Sequence, residues 1–214
     1  MQNSQSRGRA RRLIGIAAAL VLIAFGGAAV VKGLDGLSTV RDALALEHVH
    51  AEAGFTPAAI AAKAKAAGLS GVALPTCSVA GKTIDNGTDA RCFAEYMRID
   101  ALVATGGKTY AQMPRFASKD GKGTNVEAEA IKLPNGVGMP NPARNVWITE
   151  TALSTALNTS YMAEQISLFG IAVGGAFLLV GLVFGAVALS GVRLPSRARA
   201  TVRRARTEDV AQPA

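Results

Sequence analysis

The sequence predicts a mainly α membrane protein: an antiparallel two-helix transmembrane hairpin carrying a small, loop-rich, mostly helical extracytoplasmic domain. Three observations predict it. Two long stretches carry no charge, arginines crowd the chain beyond the outer ends of that pair, and the segment between them is punctuated by helix caps, Gly and Pro.

The first uncharged stretch, Leu13 to Val31, reads LIGIAAALVLIAFGGAAVV and holds 19 residues. As a helix it is about 28 Å long at ~1.5 Å per residue, enough to cross the hydrocarbon core. The second, Leu168 to Val192, holds 25 residues and spans with some tilt. The segments are therefore a basic tail at 1–12, spans at 13–31 and 168–192, an outer domain at 32–167 and a second basic tail at 193–214.

The formal net charge of +8 suggests nucleic acid until its location is read. Residues 1–12 hold Arg7, Arg9, Arg11 and Arg12. Residues 193–214 hold six arginines against Glu208 and Asp209, and the 13 basic and 13 acidic residues between the spans cancel. Excess positive charge that flanks the pair on one side is the positive-inside pattern, so both termini are expected in the cytoplasm and the middle outside. The tail RARATVRRAR then faces anionic lipid, and no nucleic acid partner is expected. A rival reading of the first span is a signal peptide cleaved near Gly27-Ala28-Ala29. Its 19 residues exceed the usual apolar core of ~7–15, and Arg11-Arg12 gives a twin-arginine signal only a chance pair.

Within the outer domain, DGLSTVRDALALE at 35–47 predicts a short helix opening near Ser38, with Leu37, Val40 and Leu44 on one face. A second helix takes Thr56 as N-cap, Pro57 as first residue and Gly68 as stop. Asp85-Asn86-Gly87 marks a turn after a short extended stretch at Val79 to Ile84, and a helix from about Thr88 to Thr105 repeats Cys92, Tyr96, Ile99 and Val103 at helical spacing. Residues 115–146 are rich in Gly, Pro, Asn and charge and predict a long loop, with at most a short patch near Val126 to Leu133. From about Asn145 the chain loses Gly and Pro, predicting a helical stalk at 147–167 that runs into the second span.

Gly106-Gly107-Lys108-Thr109 ends like a phosphate-binding loop, but the motif requires a glycine at 102, where this chain has Leu102, and a strand before the loop. The residues before Gly106 are helical in character, so the glycines read as a helix stop. Cys77 and Cys92 are the only cysteines, and both fall in the segment assigned outside, where disulfides persist. A bond closing a loop of about 15 residues contributes about 3 kcal/mol in the chain-entropy model. Gly170, Gly174, Gly181 and Gly185 share a stripe on the second span, and Gly15, Ala19 and Gly26 on the first. Small residues in a stripe let helices approach closely in lipid, so Gly26 is expected to meet Gly170 and Gly174, and Gly15 and Ala19 to meet Gly181 and Gly185.

ALVATGGKTYAQM, ARNVWITETALSTALNTSYMAEQISLFGIAVGGAFLLVG, TVRD after the first span and the basic ends together resemble a family of uncharacterised actinobacterial membrane proteins. The resemblance covers almost the whole chain and implies a span, an outer segment and a second span. Many members carry the label aromatic ring-opening dioxygenase, which implies a non-heme iron held by two His and one carboxylate. This chain has two histidines, His48 and His50, and in EHVHAE an extended backbone would set His48, His50 and Glu52 on one face. A helix would spread them. The flanks offer mainly alanine for a pocket wall. A bacterial setting also leaves the sequons Asn86-Gly87-Thr88 and Asn158-Thr159-Ser160 without a role.

No Ser/His/Asp grouping or phosphate loop completes a catalytic signature, so no cofactor is expected. The reading is a non-enzymatic envelope assembly or accessory protein, with membrane lipids and a membrane-protein partner or second copy as its neighbours. The alternative is a small-ligand sensor or transport accessory, and the third a metal-dependent enzyme at His48, His50 and Glu52.

Overall fold

A computed structural model describes residues 2–190, with side chains from Arg9 onward. The basic tail 193–214, the end of the second span and the side chain of Arg7 lie outside the described residues. The fold is mainly helical: α1 (Gln2–Leu46), α2 (Pro57–Ala66), α3 (Gly87–Ala104), α4 (Pro142–Ser190) and single 3-10 turns at Tyr110–Gln112 and Glu127–Glu129. Among the described residues the only β pairing is isolated bridges. α1 and α4 are each long and apolar enough to cross a membrane, and only 11% of the most apolar stretch of each is buried. That low share separates them from the core helix of a soluble protein. The chain divides into two compact units, one drawn from the chain up to Ala28 and from Val173 onward, the other Ala29–Ala172.

α1 corrects the expected break near residue 35. It is one helix of 45 residues, not a span followed by a short helix. Ser38, which reads as an N-cap, sits inside it and donates backward to the Asp35 carbonyl at 3.0 Å, as does Thr39 at 2.9 Å. A hydroxyl bonded to the preceding turn does not open a new helix. Gly33 is there for close approach: a Cβ on it would lie 2.7 Å from the Ser167 carbonyl oxygen.

The expected cap at Thr56 starts α2, and Asn86 of the expected turn proves to be the cap of α3. Thr56 accepts from Ala59 N–H at 3.2 Å, Pro57 opens α2, and Gly68 at φ +70 follows its end. Asn86 accepts from Asp89 N–H at 2.8 Å and starts α3 at Gly87. Gly106 and Gly107 adopt φ 61 and 77, and Gly107 N–H closes onto the Leu102 carbonyl at 2.7 Å. GGKT is thus a helix terminus preceded by a helix, and a phosphate-binding loop is not formed.

α4 begins at Pro142, five residues before the expected stalk, because Asn141 caps it by accepting from Ala143 N–H at 3.1 Å. The segment before it is tied rather than free. Phe116 bridges Thr124 and Pro140, Lys132 bridges Gly138, and Met139 N–H donates to Ile131 O at 2.7 Å. Hydrogen bonds from Ser118 and from the Lys122 N–H hold the exposed Asp120 carboxyl below the usual carboxylate range.

The core of this unit centres on α3. Val79, Ile84, Tyr96 and Ile99 are fully buried, and Phe55 meets Phe93 and Tyr96 with ring centroids 5.3 and 5.1 Å apart. Cys77 and Cys92 are joined by a disulfide, stapling the incoming loop to α3. One turn on, the Tyr96 hydroxyl donates to the Cys77 carbonyl at 2.7 Å, and burial, helped by the Glu95 charge, pushes its phenol above the ordinary value.

α3 docks on α4 through paired ends. Glu164 of α4 accepts from Gly87 N–H at 2.6 Å and from the Thr88 hydroxyl at 3.1 Å, setting a carboxylate on the positive end of α3. Near the other end, Arg98 lies over the Trp147 ring at 4.2 Å and pairs with the buried Glu150 at 3.5 Å. The backbones touch at Gly87, where a Cβ would lie 2.8 Å from Tyr161 Cα and 2.9 Å from Ser160 O. Gly87→Ala should therefore destabilise this unit by about 1–3 kcal/mol, the usual cost of overpacking. Gly54→Ala, where a Cβ meets nothing within 4 Å, serves as control and should be neutral or slightly stabilising in the same denaturant titration.

Candidate functional site

The first unit is an interface of small residues. Ala19, Gly26, Gly174 and Gly181 are buried, while Leu13, Ile14, Phe25 and Leu179 remain 67, 69, 68 and 67% exposed. A Cβ on Gly26 would lie 2.7 Å from the Gly174 carbonyl oxygen and 2.8 Å from Leu178 N. On Gly181 it would lie 2.8 Å from Ile23 Cγ1 and 3.1 Å from Ala19 O. Gly185 faces the Ala19 methyl at 3.6 Å, and Gly15 faces Ala188 at 3.1 Å rather than Gly181 or Gly185. These pairs place α1 and α4 antiparallel within this unit. Arg12 closes its end, donating through Nε to Ala188 O at 2.9 Å and through Nη2 to Leu189 O at 2.6 Å. A guanidinium donating to two carbonyl oxygens makes charge-assisted hydrogen bonds, stronger than those between neutral groups.

In the second unit, Gly170 has Ala29 O at 3.8 Å, and the close approach to the α4 backbone is at Gly33, a residue the sequence reading passed over, where a Cβ would lie 2.7 Å from Ser167 O. Its signal was present. Ala19, Gly26 and Gly33 fall seven residues apart on one helix and all three are buried, but ending the first span at Val31 left Gly33 outside it and hid the period.

The histidine triad is not assembled. His48 follows the end of α1 at φ 48, in the left-handed region, and is exposed. His50 alone is in an extended bridge, with Thr83, whose hydroxyl lies 3.2 Å from its Nδ1. A turn at residue 48 breaks the alternation that would have put His48, His50 and Glu52 on one face. No group of three His, Cys, Asp or Glu side chains arranged to hold a metal occurs among the described residues.

The clefts of the second unit are open and mixed in character. One of about 600 Å³ is lined by Leu37, Arg41, Asp42, Asp85, Glu164 and Leu168. Another of about 510 Å³ is bounded by Tyr110, Trp147, Ile148, Thr151, Ala152 and Thr155. Neither brings a nucleophile within reach of a base. Comparison of the chain with protein-family models, curated proteins and solved structures gives no match.

The first unit makes a sharp prediction. Gly26→Leu should lower the detergent midpoint of unfolding strongly, because its contacts are backbone atoms that cannot yield. Gly27→Leu, one residue on, meets open space within 4 Å and should leave the midpoint nearly unchanged. Equal effects of the two would remove the interface.

Proposed function

We propose that the chain is an integral protein of the cytoplasmic membrane, anchored by the antiparallel α1–α4 pair with both termini in the cytoplasm. It presents a disulfide-stapled helical domain outside and acts there as a non-enzymatic assembly or accessory protein. One observation carries this reading. The apolar helices hide alanine and glycine and expose leucine and phenylalanine, the reverse of a protein that folds in water. The Cys77–Cys92 bond fits an oxidising compartment. The family resemblance points to the same two-span plan. α1 continuing unbroken past Gly27-Ala28-Ala29 to Leu46 supports an anchor over a cleaved leader.

Reporter fusions test the topology. A cytoplasm-active reporter after Ala214 and an exported reporter inserted near Gly121 should both be active. The reverse pattern would overturn the charge argument, and a mature chain beginning near Val30 would establish cleavage instead.

A further inference from the structure

We propose that Asn135 is a site of spontaneous deamidation, a modification that the fold permits at this asparagine and blocks at Asn86. Asn86-Gly87 and Asn135-Gly136 are the two Asn-Gly pairs in the chain. In such a pair the backbone nitrogen of the glycine attacks the side-chain carbonyl carbon of the asparagine. A bond forms between that nitrogen and Cγ, the Cγ–Nδ2 bond breaks, and ammonia leaves with the proton of the peptide N–H. Water then opens the resulting succinimide at either carbonyl, giving aspartate or isoaspartate. Glycine favours the step because no side chain shields its nitrogen.

The fold leaves Asn135 open to this attack. Pro134-Asn135-Gly136 is the loop of a three-residue hairpin, closed by Leu133 N–H on the Val137 carbonyl at 2.9 Å, with Gly136 left-handed at φ 82. Asn135 and Gly136 are both exposed, and a Cβ placed on Gly136 would meet nothing within 4 Å. Asn135 Oδ1 accepts from Val137 N–H at 3.1 Å. A side chain bonded two residues on folds across the nitrogen in between, here that of Gly136, and the donor draws charge from the carbon under attack. The Gly136 N–H itself meets a neutral carbonyl, that of Leu133, at 2.9 Å.

At Asn86 the same dipeptide is held against the reaction. Asn86 caps α3, with Oδ1 accepting from Asp89 N–H at 2.8 Å and Nδ2 donating to the carboxylates of Asp85 and Asp89 at 3.1 and 3.0 Å. Both polar atoms of the amide are engaged. Gly87 is buried, and its N–H lies 2.6 Å from the Glu164 carboxylate, whose charge opposes the negative charge that an attacking amide nitrogen develops. Conversion at Asn135, by contrast, adds a carboxylate to an exposed loop. Isoaspartate also routes the backbone through the β-carbon, lengthening it beside the Leu133–Val137 closure that helps tie residues 115–141.

Ageing the purified full chain in detergent at mildly alkaline pH, in water enriched in heavy oxygen, tests this by mass spectrometry of its peptides. Heavy oxygen marks the conversions that occur during ageing rather than during digestion. In the folded chain Asn135 should convert at least about tenfold faster than Asn86, the ratio set by the hydrogen bond to a charged group that Gly87 must give up. Its products should be a mixture of aspartate and isoaspartate. After denaturation in urea the two rates should converge, and Glu164→Ala should raise the rate at Asn86 without changing that at Asn135. Equal rates in the folded chain, or a gap that persists unchanged in urea, overturns the proposal.

Discussion

Close approach of the α1 and α4 backbones is the constraint on which the architecture depends. It is made in each unit by a position that has no room for a side chain, Gly26 against Gly174 in one and Gly33 against Ser167 and Ile171 in the other. In hydrocarbon, helices gain little by hiding large apolar groups, so association comes from van der Waals contact that only Gly and Ala permit along their full length. The large residues are then free to face outward. The two helices accordingly expose Ile14, Phe25, Leu179 and Leu182 while burying Ala19 and Gly181.

The second unit solves a different problem, a small core. Its α2 contributes little beyond Ile60 and Ala64, and stability is concentrated where α3 meets its neighbours. The disulfide, the Tyr96 hydroxyl on the Cys77 carbonyl and the Phe55 rings fix α3 on one side. Glu164 and the Arg98–Trp147–Glu150 group fix it to α4 on the other. Polar contacts of this kind impose orientation more than raw stability, since a buried carboxylate such as Glu150 must be hydrogen-bonded to be tolerated at all. Ser154 and Thr151 supply those bonds at 2.8 and 3.4 Å.

Much of this was legible in the sequence wherever the signal was local. The cap at Thr56 and the glycines ending α3 each act within a few residues, and the structure places them as read; Asn86, read as part of a turn, is the cap of α3, and the expected Cys77–Cys92 bond joins residues 15 apart. The errors came where a local rule met a distant contact. Ser38 reads as the opening of a new helix, but it is inside α1, because α4 packs against the preceding stretch at Ser167. Residues 115–141 read as a loop because their cross-links join residues far apart in sequence, such as Ala117 to Met139. The histidine triad assumed an extended backbone that a left-handed turn at His48 denies. Asn141-Pro142 was a cap signal in plain view, masked by the Gly- and Pro-rich stretch before it.

The central claim is that the exposed leucines and phenylalanines of α1 and α4 face lipid. Spin labels placed singly at Leu20 and Leu179 in reconstituted vesicles report it directly through relaxation by oxygen, which concentrates in hydrocarbon, and by a water-soluble nickel complex, which does not. High oxygen and low nickel accessibility at both sites, with the opposite at the outer Leu46, is the expected result. Nickel accessibility at Leu20 and Leu179 equal to that at Leu46 would contradict the account.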